Sequence, residues 1–83
     1  MPKSLRSPRQ QRFLAQLVSL RKAKGLTQAQ VAEKLGRPQS FVAKYEGGER
    51  RLDVIEFLEL TEALDADPCA VLLGLGRSGR PRA

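Results

Sequence analysis

Apolar residues recur at helical spacing along most of the chain, in short segments punctuated by glycine, proline and small polar residues. Ser7 and Pro8 supply a cap and a first-turn proline, so the first helix is expected to begin there. Its stripe is Phe13, Leu14, Leu17 and Val18, continued by Leu20 or Arg21, and it ends at Gly25 behind the cations Lys22 and Lys24. Thr27 and Gln30 have capping-box spacing and open a second helix with Val31, Ala32 and Leu35 inward, closed by Gly36. That helix is barely two turns long, and because nucleation is costly it must pack at once on a neighbour. Pro38 suits the start of a third helix, Gln39 to Glu46, with Phe41, Val42 and Tyr45 inward and Gly47–Gly48 as its breaker. Asp53 caps a fourth helix, Val54 to Leu64, with Val54, Phe57, Leu58, Thr61 and Leu64 assigned to one face and Glu56, Glu59 and Glu62 to the other. Asp67–Pro68 starts a short fifth helix that ends near Leu73. Strand-type alternation and internal repeats do not occur. The pattern predicts an all-α fold, a compact five-helix bundle.

At 83 residues the chain is expected to form one domain, over 8–75, between a flexible basic arm at 1–7 and a flexible basic tail at 76–83. A chain this short buries only about 60% of its unfolded surface, which leaves little for a separate ligand-binding domain. Histidine is absent, and the single cysteine, Cys69, cannot close an intramolecular disulfide and is read as a small buried apolar residue. Zinc sites of the usual Cys/His kind and histidine-activated nucleophiles are thereby excluded. The carboxylates are spaced as a helix surface, so the sequence reads against an enzyme, and neither metal nor cofactor is expected. No apolar run approaches the roughly 20 residues of a membrane helix, and no signal-type stretch follows the basic N-terminus. The chain is therefore read as cytoplasmic, with no membrane partner.

Charge changes the picture. The formal net charge of +6 is unevenly placed: residues 1–51 hold twelve Lys/Arg against three Glu, and residues 52–76 hold six acids and no base. A basic first part beside an acidic second part suggests one face made for a polyanion.

The most informative segment is LTQAQVAEKLGRPQSFVAKYEGGERR, residues 26–51. Two short helices joined through glycine can cross steeply. Ala32 is the small residue such a crossing needs, and Gly36 the residue at ease at positive φ. What faces outward on the third helix is Gln39, Ser40, Ala43 and Lys44, small or hydrogen-bonding side chains suited to base-pair edges. This segment resembles the Cro/repressor-type, or XRE-type, helix-turn-helix of phage repressors and bacterial regulators. LTQAQVAEKLG is similar to that family's second helix, FVAKYEGGERR to its third helix and following loop, and VIEFLELTEALDADP to its fourth; the likeness covers roughly residues 12–73.

The resemblance implies a DNA-binding domain of the phage-repressor type, acting as a transcriptional regulator on double-stranded DNA, as a homodimer. It implies base contacts for Gln39, Ser40 and Lys44, phosphate contacts for Gln28, Arg50 and Arg51, and an ion pair between Arg21 and Glu46. For Ser40 a plain helix-start role stays open, and for Lys44 a phosphate as well as guanine. Two positions depart from the family pattern: Arg37 stands where an apolar residue is common, and Pro38 where Ser or Thr caps the third helix. Arg37 is accordingly expected toward solvent or phosphate. Ile55, Val71, Leu72, Leu73 and Leu75 exceed what a small core needs and point to the C-terminal half as the dimer surface; the alternative is that they finish the core of a monomer. The alternative is a protein-interaction module on the same fold, such as an antitoxin held to a toxin partner.

Overall fold

The computed structural model describes residues 7–76. The arm at 1–6 and the tail at 77–83 lie outside the described residues. Five helices follow one another: α1 (Pro8–Ala23), α2 (Gln28–Leu35), α3 (Gln39–Glu46), α4 (Val54–Ala63) and α5 (Pro68–Gly76). The described residues contain no strand.

The helix starts obey the side-chain logic of the sequence. Ser7 Oγ accepts the Gln10 N–H at 3.0 Å. The Thr27 box closes reciprocally, with the Gln30 N–H reaching Thr27 Oγ1 at 3.1 Å and the Thr27 N–H reaching Gln30 Oε1 at 2.8 Å. Asp53 and Glu56 form a second such box at α4. Asp67 Oδ1 accepts the Cys69 N–H at 2.9 Å where α5 begins. Only α3 starts on a residue without a side-chain cap, Pro38.

The helix ends share one device. After α1, α2, α3 and α4, a residue at positive φ (Gly25, Gly36, Gly48 and Asp65) lets the next N–H bond back into the last turn. At α2 that bond runs from the Arg37 N–H to the Ala32 carbonyl at 3.0 Å, and it folds the chain sharply from α2 into α3.

The core is made by Leu14 and Leu17 of α1, Val31 and Ala32 of α2, Phe41, Val42 and Tyr45 of α3, Phe57, Leu60 and Leu64 of α4, and Val71 of α5. α2 packs against α3 and α4, and α1 against α3 and α5. Short α2, about 12 Å at 1.5 Å per residue, is thus held from two sides, as its length demands.

Four expectations need correction. The inward face of α4 is Phe57, Leu60, Thr61 and Leu64, whereas Val54 and Leu58 are exposed and Glu56 is buried. The apolar arc of α4 is wide, running from Leu60 through Leu64, Phe57 and Thr61 to Val54 and Leu58, so two stripes compete, and the buried one is the stripe that includes Leu60. α5 runs on to Gly76, and Val71 and Leu75, assigned to the dimer surface, are instead buried in the interior. Cys69 is exposed, on the same outward strip of α5 as Leu72 and Leu73.

Candidate nucleic-acid interface

α3 presents two sides. Phe41, Val42 and Tyr45 enter the core, and Gln39, Ser40, Ala43 and Lys44 form one exposed strip. With 3.6 residues per turn, Glu46 lies at the Gln39 edge of this strip and Phe41 at the Lys44 edge. Each edge carries a brace to another helix.

At the first edge, Arg21 of α1 meets Glu46 in a two-pronged pair, Nε to Oε2 at 2.8 Å and Nη2 to Oε1 at 3.2 Å. Arg21 Nη1 also donates to the Leu26 carbonyl at 2.8 Å, which ties the turn between α1 and α2 to the end of α3. The hydrogen bond to Glu46 raises the Arg21 pKa above its already high ordinary value. Gln28, from the first turn of α2, donates Nε2 to Glu46 Oε1 at 2.9 Å. Its Oε1 is thereby turned toward Gln39, whose Nε2 approaches at 3.5 Å. Arg21, Glu46, Gln28 and Gln39 therefore form one continuous polar chain from α1 to the outward strip.

At the second edge, the Phe41 ring lies under two guanidiniums, Arg37 at 4.5 Å and Arg50 at 4.8 Å from its centroid. Both arginines turn to Glu56. Arg50 makes a two-pronged pair, Nη1 to Oε1 at 2.9 Å and Nη2 to Oε2 at 2.7 Å. Arg37 Nη1 stands 3.6 Å from Glu56 Oε2, and its Nη2 stands 3.9 Å from Glu59 Oε1. Glu56 also accepts the Asp53 N–H at 3.0 Å. The hydrogen bond from Arg50 is the main reason the Glu56 carboxyl is held down at about 2, with the Asp53 N–H and the nearby guanidiniums adding to it.

Arg37 and Arg50, expected toward phosphate, are thus both engaged by α4. Arg51 is exposed, and its carbonyl accepts Arg50 Nη1 at 2.7 Å. Glu56 and Phe41 had no place among the residues expected at the site. The Asp53-x-x-Glu56 spacing is the one sequence signal that singles out Glu56 from the other glutamates of α4.

The described residues hold no group of three or more His, Cys, Asp or Glu side chains placed to bind a metal ion. None of the described helices is long and apolar enough to cross a membrane.

Residues 12–80 match a family model described as a helix-turn-helix domain. Among solved structures, an XRE-family-like protein from Pseudomonas syringae pv. tomato is 45% identical, with a TM-score of 0.84 over 93% of this chain and 94% of that one. The restriction-modification controller protein C.AhdI from Aeromonas hydrophila is 35% identical, with a TM-score of 0.70 over 75% of this chain and 90% of that one. Comparison with curated proteins gives no match. The five-helix architecture, the α2–α3 turn and the extent of these likenesses agree, and the chain belongs to the XRE family of helix-turn-helix DNA-binding regulators.

Proposed function

We propose that this chain binds a specific duplex sequence as a homodimer, with α3 in the major groove, and regulates transcription from that site. The observation that carries the reading is the exposed strip Gln39, Ser40, Ala43 and Lys44, rigidly backed and braced at both edges while its own side chains face outward. Rigid support is what a reading surface needs, because hydrogen bonds to base edges tolerate little displacement.

Gln39 is suited to adenine. One amide hydrogen goes to Gln28, which leaves the other for adenine N7 and the carbonyl oxygen for N6. Lys44 reaches guanine O6 and N7 or a neighbouring phosphate, and Ser40 reaches either a base or the backbone. Gln28 and Arg51 contact phosphate. Arg37 and Arg50 flank the strip but stay with Glu56.

The homodimer rests on the outer faces of the last two helices. Val54 and Ile55 on α4 are 70% and 63% exposed, and Leu72 and Leu73 on α5 are 51% and 72% exposed. Adjacent exposed apolar residues on each of two helices are the kind of surface a second copy would cover. Two copies would set their α3 helices about one DNA turn apart, roughly 34 Å. The likeness to a controller protein supports the regulatory role.

The test is selection of duplexes from a random pool by the purified chain and by Gln39→Ala/Lys44→Ala. The unaltered chain is expected to enrich a site with two related halves, and the double variant to lose or change that preference. The same site emerging from both proteins would remove the base-reading role of α3.

A further inference from the structure

We propose that Glu56 restrains the sequence-independent part of DNA binding, by holding Arg37 and Arg50 off the phosphates at the Lys44 edge of the reading strip. The inference rests on the duplex-binding reading above and assigns a role to a residue that touches neither base nor phosphate.

Cations beside a reading helix are of two kinds. Those with no internal partner release counterions from any duplex, whatever its sequence, and so raise affinity without discrimination. Those held by an internal carboxylate must first give up that partner. Arg37 and Arg50 are of the second kind. Their side chains are still partly exposed, 36% and 39%, while the Glu56 side chain between them is 9% exposed. Both oxygens of Glu56 are used: Oε1 accepts from Arg50 and from the Asp53 N–H, and Oε2 accepts from Arg50 and faces Arg37. Such a carboxylate cannot swing away without also opening the cap of α4. The restraint on the arginines is therefore built into the helix start. Affinity is lowered on every duplex by a similar factor, whereas the contacts of Gln39 and Lys44 to bases are untouched, so strength of binding is tuned apart from sequence preference.

Glu56→Gln separates this role from a plain structural one. Glutamine also serves at the third position of a capping box, so α4 keeps its start while the charge is lost. The measurement is fluorescence anisotropy of labelled duplexes, the selected site and an unrelated one, across a range of potassium chloride concentrations. Glu56→Gln is expected to bind the unrelated duplex more tightly and to steepen the log–log salt slope by about 0.9 for each arginine released. The selected duplex is expected to gain by a similar factor, so the preference between the two stays nearly constant. Glu62→Gln makes the same charge change on an exposed part of α4 and is expected to do much less. Adding Arg50→Gln to Glu56→Gln is expected to bring the slope back toward that of the unaltered chain.

A folded Glu56→Gln chain with an unchanged or shallower slope overturns the inference and leaves the duplex-binding reading intact. Equal steepening by Glu62→Gln overturns it too, since net charge would then explain everything. If Glu56→Gln does not fold, Glu56→Asp keeps the charge but withdraws the carboxylate by one methylene. It is expected to steepen the slope as well, and no change there is equally fatal. Failure of the unaltered chain to bind any duplex at low salt overturns the functional reading and this inference together.

Discussion

Two glutamates decide how α3 is held, and they do so from opposite edges. Glu46 accepts from Arg21 and Gln28, so its loss opens three hydrogen bonds and leaves a largely buried guanidinium uncompensated. Glu46→Ala is expected to cost about 2 kcal/mol, seen as a fall in melting temperature of roughly 10 °C for a domain of this size. Glu56 works through acid. Its folded pKa, about 2, lies below its ordinary value of 4.5, so its contribution is fully present above about pH 4.5 and is lost as pH falls toward 2. Urea midpoints measured from neutral pH downward are expected to fall over that window, and Glu56→Gln to show a shallower fall. The two glutamates were not equally legible. Arg21 and Glu46 are paired by resemblance to the family. Glu56 sits in a run of glutamates three residues apart, which on its own reads as a solvated face. What buries it is the meeting of two arginines from the loops on either side of α3, and no local pattern encodes a meeting of separate loops.

At the scale of elements, starts and stops were the most legible part of the chain. Thr27–Gln30, Asp53, Gly25, Gly36 and Asp67–Pro68 act through bonds within a few residues, so sequence neighbours suffice to find them. Asp65 is the exception among the helix ends. It occupies a left-handed conformation, φ 54°, where the equivalent positions of the other three carry glycine. It also puts a carboxylate at the negative end of α4. Asp65→Gly is expected to stabilise the fold by about 1 kcal/mol, read as a melting temperature several degrees higher. The face of α4 was less legible. Phe57, Thr61 and Leu64 belong to both possible stripes, and only packing against α2 and the core selects Leu60 over Val54 and Leu58. The same holds for α5, whose local pattern ends the helix near Leu73, ahead of Gly74. Leu75 pulls the helix past it and into the interior.

At the scale of the whole molecule, the sequence divides its charge between two jobs. The basic first part supplies α1, α2 and α3, with the exposed strip of Gln39, Ser40, Ala43 and Lys44. The acidic second part supplies α4, one of whose glutamates turns back on two arginines of the first part. Under the proposed homodimer, the exposed apolar residues of α4 and α5 are the assembly surface. Leu72→Ser/Leu73→Ser is expected to shift the sedimentation coefficient of micromolar protein from a dimer to a monomer, and to weaken duplex binding because paired half-sites are then engaged singly. An unchanged sedimentation profile in that variant would move the dimer surface elsewhere.

The most direct measurement is amide chemical-shift mapping of the isotope-labelled chain during titration with a short duplex containing the selected site, at low ionic strength. The largest shifts are expected at Gln28, Gln39, Ser40, Ala43, Lys44 and Arg51, with the outer strip of α5 undisturbed. Shifts concentrated on α4 and α5, with residues 39–44 unmoved, would contradict the placement of α3 in the groove.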